Sequence, residues 1–237
     1  MIDIHTHIIF GVDDGAKSLE ESLTIIQNEI ALGITDIICT PHYKVGIFDA
    51  TYEQCYKNFN ILSNEVRKRN LPVNLYLGRE VYYKKSIDYL FNNKEQFSIN
   101  NTNTILLEFS YAIDPDIEEV LYQLRRKGIK VIIAHIERYN YINNIEEVIG
   151  FKSMGALVQV NASTIIGKSG RKQKRRMLKL IKLGLVDFIS SDIHYSRVNY
   201  MKEAYVIINK KFGKIIADKL FNDNAKRLIS VEEEIVA

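Results

Sequence analysis

Cysteine is almost missing from this chain: Cys39 and Cys55 are the only two among 237 residues. Two thiols cannot build a disulfide framework, so the composition points to a reducing compartment, the cytoplasm. Long apolar runs are missing too. No stretch reaches the roughly 18 residues that suggest a membrane-spanning helix, and no insertion into a bilayer is expected. The opening segment MIDIHTH lacks the basic and apolar regions of a secretory leader and enters a strand and a histidine cluster at once. Nor is there an excess of one charge: the formal net charge of +3 is too small to imply nucleic acid as a partner. No repeat, low-complexity stretch or linker interrupts the chain. With 46% hydrophobic and 26% charged residues it is ordinary for a globular protein, and residues 1–237 are read as one domain with a substantial core.

What the chain does have is regular alternation. Short apolar runs at 2–5, 36–39, 73–77, 104–109, 130–134, 156–161 and 186–190 read as strands, several rich in Ile, Val and Leu without clean polar alternation. That pattern suits strands buried on both faces. Helical patterns lie between and after them at 19–32, 52–70, 116–127, 145–154, 171–183, 201–210 and 214–221. Gly33, Gly128, Gly155 and Gly184 each stand between a helix and a strand, where a left-handed residue ends many helices. Repeated strand–helix units imply a parallel sheet. Polar candidates follow six of the seven strands, and residues from six strands meet at one point only if the sheet closes. A seven-stranded α/β barrel is the expected fold.

All five histidines sit where such strands would end: His5 and His7 in a His-x-His pair, His42 in TPHY, His135 in AHIER and His194 in SDIH. Imidazole is the commonest side-chain metal ligand. A lone histidine is more often structural, but alternate strand residues point the same way, and Asp-x-His repeats the His-x-His geometry. Acids join them: Glu80 in GREVYY, Glu108 in LLEFS, Asp192 before His194, and Asp13 and Asp14 in GVDDG. Buried carboxylates at strand ends are costly unless paired or metal-bound. Five imidazoles and about four carboxylates can hold two or three divalent ions. Of the two aspartates in GVDDG, one could serve only to stabilise the turn or cap the next helix.

In order and spacing, HTHxxxGVDDGAKSLEES, TPHY, GREVYY, LLEFS, AHIERY, QVN and SDIH resemble the bacterial PHP-domain tyrosine-protein phosphatases of the CpsB/YwqE type, which act in capsule and exopolysaccharide synthesis. The resemblance runs from Met1 to the segment FNDNAKRLI. It implies a distorted (β/α)7 barrel of the PHP (polymerase and histidinol phosphatase) type, holding three divalent ions, commonly manganese, with iron or zinc as alternatives. By matching motif, His5, His7, Glu80 and Asp192 would hold one ion; Glu80, Glu108 and His135 a second, with Glu80 bridging; Asp14, His42 and His194 a third. Asp14 is preferred to Asp13 by family position alone. The implied reaction is in-line attack of a metal-bridging hydroxide on phosphotyrosine, carried by a protein partner such as a cognate tyrosine kinase. Homo-oligomers occur in the family.

Arg138, three residues after His135, matches the family's phosphate-binding arginine, and a guanidinium fork can grip two phosphate oxygens. The segment after SDIH is about two residues shorter than in the family and lacks its prolines; Tyr195 replaces an Asn, and Arg197 is the natural second arginine. A cysteine route has no support, since Val45 and Ile61 stand six residues after Cys39 and Cys55, where that route needs an Arg. The run GKSGRKQKRRMLKLIK puts Arg171, Lys172 and Lys174 at a helix start, where cations are disfavoured; besides a solvated helix face, it could steer an acidic, phosphotyrosine-bearing tail. Tyr43, Phe48, Tyr82, Tyr83 and Tyr111 follow strands and could frame a phenyl ring, although packing explains each alone. Competing readings are a histidinol-phosphate or other small phosphomonoester phosphatase, and a non-catalytic regulator that binds a kinase tail.

Overall fold

Every apolar run read as a strand is a strand in the structure, a computed structural model that describes residues 1–85, 96–142 and 144–230. The strands are β1 (Ile2–Thr6), β2 (Asp36–Cys39), β3 (His42–Tyr43), β4 (Asn74–Leu77), β5 (Glu80–Tyr82), β6 (Thr104–Glu108), β7 (Lys130–Ile133), β8 (Leu157–Asn161) and β9 (Phe188–Ser190). The two additions to the sequence reading, β3 and β5, are continuations. β2 and β3 form one strand broken at Pro41, which has no N–H for a ladder, and β4 and β5 form another broken at Gly78 and Arg79. The pair keeps one register throughout, with Asp36 opposite Asn74 and His42 opposite Glu80.

The sheet therefore has seven staves, all parallel and in chain order. It curls until its two ends meet. The seam is a bridge between Thr6 and Ile193, with Asp192 N–H donating to His5 O at 3.0 Å and His7 N–H to Ile193 O at 2.9 Å. This is the distorted (β/α)7 barrel.

Around it lie α1 (Leu19–Ala31), α2 (Tyr52–Lys68), α3 (Ile117–Arg126), α4 (Ile145–Ser153), α5 (Ala162–Ile166), α6 (Arg171–Lys182), α7 (Met201–Phe212), α8 (Lys214–Asp218) and α9 (Asn224–Ile229). Local chemistry sets several boundaries. Ser18 caps α1 through Glu21 N–H, and Asn144 and Glu147 form a reciprocal capping box on α4. The four glycines expected after helices all take positive φ. Two helical features escaped the pattern: the five-residue α5, and a π turn at Lys219–Asp223 that carries the last helical run on to Ile229. No helix among the described residues is long and apolar enough to cross a membrane.

Alternation along the staves separates two apolar clusters. Ile37, Ile105, Leu107, Ile133, Val158 and Val160 face the helices. Ile2, Ile4, Ile38, Leu106, Ile132 and Phe188 fill the lower lumen, which Ala225 and Leu228 of α9 close. Above that plug the same inward positions turn polar: His42, Glu80, Glu108, Gln159 and Asn161. In β1 the register shifts between Asp3 and Thr6. The resulting bulge lets His5 follow Ile4 into the lumen, which strict alternation would forbid.

Buried Tyr139 ties two staves at the level where the lumen turns polar. Its hydroxyl donates to Ala134 O at 2.9 Å and accepts from Phe109 N–H at 3.1 Å. Tyr139→Phe should lower unfolding free energy by about 1–3 kcal/mol by orphaning two buried backbone groups. An unchanged urea midpoint would contradict that role.

Candidate metal centre

The barrel brings all nine predicted ligand residues to its C-terminal mouth. Glu80, fully buried at the start of β5, is the hub. Its Oε2 lies 3.1 Å from His5 Nε2, 3.3 Å from His7 Nε2 and 3.0 Å from His42 Nδ1, while Oε1 lies 2.8 Å from His135 Nε2. Glu108, last in β6, stands 3.6 Å from His135 and 3.9 Å from His42. Asp192 Oδ1 is 3.5 Å from His7 and 3.7 Å from His194. Asp14 Oδ1 closes the outer side, 3.2 Å from His194 and 3.7 Å from His42.

Among the described residues, three groups have ligand atoms close enough to share an ion: His5, His7 and Glu80; His42, Glu80 and Glu108; and His7, Asp14, His42 and His194. This grouping puts His42 beside Glu108 and lets His7 face two groups. The donor atoms suit a cation. Glu80 Oε2, His42 Nδ1 and His194 Nε2 are buried, yet none makes a hydrogen bond of acceptable geometry despite close neighbours. These unpaired nitrogen and carboxylate atoms, converging beside the Glu80–His135 hydrogen bond, fit borderline or hard divalent ions.

Electrostatics agree. Burial alone would raise the Glu80 carboxyl, but the surrounding His5 and His42 imidazoles outweigh it and hold the group well below the usual carboxylate range. Burial is likewise outweighed at Asp192, by His7, His5 and Arg138. The exposed Asp14 carboxyl is lowered by the imidazole of His194 beside it. Glu80, Asp192 and Asp14 are thus favoured in their ionised forms, in a site that calls for positive charge.

Behind the ligands stand Asp13, the aspartate of GVDDG left for the turn, and residues to which the sequence reading gave no role. Asp13 Oδ2 receives His7 Nδ1–H at 2.7 Å and His42 N–H at 2.9 Å, and its Oδ1 receives Gly15 N–H at 2.9 Å. The two aspartates of GVDDG thus divide: Asp14 faces the cage, and Asp13 orients His7 from behind. Gly15 is obligatory there, because a Cβ would stand 2.0 Å from His7 O. Gln159 Oε1 takes His135 N–H at 2.6 Å and lies 3.3 Å from His5 Nδ1. A proton on that Nδ1 leaves Nε2 free for a metal. Gln159 also donates to Asn161 at 2.8 Å, and Asn161 donates to Asp192 Oδ2 at 2.8 Å. Gln and Asn at alternate places in an apolar strand were the available signal. Asp3 accepts from His5 N–H at 3.3 Å and Ser191 N–H at 3.1 Å, clamping the bulge to the stave end; burial pushes its carboxyl up to about 6.

Two ligand residues adopt left-handed backbone, His135 with φ 30° and Asp192 with φ 54°. Such strain persists only where neighbours over-determine it, here the Gln159 bond to His135 N–H and the seam bond from Asp192 N–H.

Both predicted arginines reach the mouth. Arg138 Nη2 is 2.5 Å and Arg197 Nη1 3.2 Å from the same oxygen, Asp192 Oδ2. The shortened loop delivers Arg197 through a tight turn, its N–H on His194 O at 2.9 Å. Tyr111 donates to Glu108 and accepts from Arg138 at 3.1 Å. Of the five aromatics, Phe48 stacks on His42 and Tyr111 meets His135 edge-on. Tyr43 and Tyr83 pack against Phe97 and Phe109, and Tyr82 lies under Lys44. Cys39 and Cys55 are buried, and burial raises both thiols, which removes a cysteine nucleophile.

The profile of the family described as capsular polysaccharide synthesis, CpsB/CapC, matches residues 1–230. The chain is 36% identical over 241 residues to the tyrosine-protein phosphatase CpsB of Streptococcus agalactiae, covering 97% of this chain and 98% of that protein. It is 29% identical over 233 residues to the tyrosine-protein phosphatase YwqE of Bacillus subtilis, covering 97% and 91%. Among solved structures it superposes with a TM-score of 0.84 on a chain from the study of B. subtilis YwqE and Streptococcus pneumoniae CpsB. These are described as unique metal-dependent tyrosine phosphatases; identity is 29%, with 92% of this chain and 90% of that one covered.

Gln159→Leu should cost about 1–3 kcal/mol by leaving buried His135 N–H unpaired, and should release the His5 ring. Chemical denaturation and the imidazole NMR resonances check this; an unshifted His5 signal would refute the ring-holding role.

Proposed function

Because the chain belongs to the CpsB/CapC family, we propose that its cage is the active site of a metal-dependent phosphatase acting on phosphotyrosine in proteins. The observation that carries this reading is the convergence of two guanidiniums on one carboxylate oxygen at the rim of the ligand cage. Asp192 Oδ2 occupies the place of an anion between Arg138 and Arg197. A phosphoryl group entering the mouth offers oxygens to the same two forks.

His5, His7, Glu80 and Asp192 would hold one ion, Glu80, Glu108 and His135 a second, and Asp14, His42 and His194 a third, manganese being the first candidate and iron or zinc the alternatives. The two oxygens of Glu80, turned toward His5 and His7 on one side and His135 on the other, suit a bridging role. When bound, such ions act as Lewis acids that acidify water and offset charge on phosphoryl oxygens.

The remaining work falls to the chain. Arg138 and Arg197 bind and orient the phosphoryl oxygens, where fixed donors matter most as charge redistributes. Tyr111 holds Arg138 through its hydroxyl and packs against His135, and Phe48 stacks on His42. Gln159, Asn161 and Asp13 keep the ligands in register. The leaving group of an aryl phosphate is a phenol with pKa near 10, so protonation of the departing oxygen matters less than for an alkyl ester. A phosphotyrosine-bearing protein, such as a tyrosine kinase in polysaccharide synthesis, is the partner this chemistry suits.

Chelation should abolish turnover of a phosphotyrosine peptide, and Mn2+ should restore it. Mn2+ at about a hundredfold excess over its Kd should also stabilise the fold by about 2.7 kcal/mol. An unfolding midpoint indifferent to Mn2+, Zn2+ and Fe2+ would sink the metal cage. Arg138→Ala should lower kcat/KM by about 10²–10³, the cost of one fixed charge-stabilising donor, with the Mn2+-induced midpoint shift retained. Assays run in parallel on histidinol phosphate decide between protein and small-molecule substrates. Activity on that ester alone would overturn the protein-phosphatase reading.

A further inference from the structure

Seven of the twelve residues of α6 are lysine or arginine and none is acidic. The structure sorts them. Lys174 and Arg176 are half-buried, Lys174 donating to Ile166 O. Arg171, Lys172, Arg175, Lys179 and Lys182 are exposed. Four of these, Arg171, Arg175, Lys179 and Lys182, fall at helical spacing and form one stripe along the solvent face. None of the exposed five makes an ion pair among the described residues. Elsewhere four lysines are paired, Lys68 with Glu65, Lys152 with Asp187, Lys214 with Asp218 and Lys226 with Asp223, and several other surface lysines resemble those of α6 in having no ion pair among the described residues.

Such a helix works against itself. Like charges four residues apart destabilise it, its first-turn cations oppose the helix dipole, and its N-cap, Gly170, offers no capping side chain. An anion from outside would relieve all three conflicts.

The stripe begins beside the cage. Thr164 of α5 hydrogen-bonds Glu137, the neighbour of Arg138, at 2.9 Å. The Lys168 ammonium lies 5.4 Å from the Tyr200 ring centre, setting the turn before α6 against the loop that carries Arg197. The turn that leads into α6, with Lys168, therefore lies against the segment that follows Arg197.

We propose that the exposed stripe of α6 docks acidic side chains flanking the phosphotyrosine of a protein substrate; this rests on the phosphotyrosine reading of the cage. Docking acts on capture, so it appears in KM and in salt dependence while kcat stays constant.

The test compares the full chain with the variant Arg171→Glu/Arg175→Glu/Lys179→Glu. Substrates are phosphotyrosine peptides flanked by Glu or by Ser, with p-nitrophenyl phosphate as a substrate too small to reach α6. The wild type should favour the Glu-flanked peptide about tenfold in kcat/KM at low salt, within the range of electrostatic steering. The variant and high salt should each erase that preference, with p-nitrophenyl phosphate turnover unchanged. Equal kcat/KM for both peptides in the wild type, or a preference that survives in the variant, would overturn the proposal. So would stripe-dependent binding to phosphatidylglycerol vesicles without any peptide preference, which would make α6 a lipid-facing surface. Binding of the same peptides carrying a non-hydrolysable phosphonate reads docking without turnover. Failure to hydrolyse any aryl phosphate would therefore count against the phosphatase reading, and absence of an acidic preference in wild-type binding against this one.

Discussion

A carboxylate with no exposed surface, Glu80, is the constraint on which the rest of the molecule depends. Burying a single charge costs several kcal/mol unless partners surround it. Here imidazoles approach both of its oxygens from β1, from β3 and from the end of β7. No local segment could supply them, since the groups are as far apart in sequence as His5 and His135. Only a closed parallel sheet brings stave ends into one small volume. The barrel is therefore the neutralising shell of a buried charge as well as the scaffold of a site.

The shell has a vertical order. Below Glu80 the lumen is hydrocarbon, plugged by α9; above it the lumen is nitrogen and oxygen. Both levels use the same inward positions, and period-two alternation keeps the two kinds of side chain in register. Behind the polar level, Asp13, Gln159 and Asn161 hold ligand side chains through bonds that leave the coordinating atoms free. This outer ring orients the ligands, and its Gln159 bond to His135 N–H, together with the seam bond from Asp192 N–H, accounts for two ligand residues tolerating left-handed backbone.

Much of this was legible in the sequence. The seven strands, the closure and eight of the nine cage residues, all but Asp14, follow from apolar runs ending in His, Glu or Asp, because a polar residue buried at a strand end must be paired or metal-bound. What was not legible depended on contacts between distant segments. The bulge in β1 leaves no mark in IDIHT, yet it decides which way His5 points. Asp13 and Asp14 are chemically identical neighbours, and only the packing of His7 distinguishes them. The short helix ASTII carries no helical signal of its own. Loop length alone left the reach of Arg197 open, and a tight turn off His194 compensates for the missing residues. The charge run read as uniform divides by burial, since Lys174 and Arg176 pack inward.

The seam between β1 and β9 has a consequence for the order in which the protein is made. His7 is made well before His194, and the two rings stack only when the Thr6–Ile193 bridge shuts the barrel. Until then the earlier histidines lack part of their cage. Any ion the centre would hold meets its full set of ligands only once that bridge has formed.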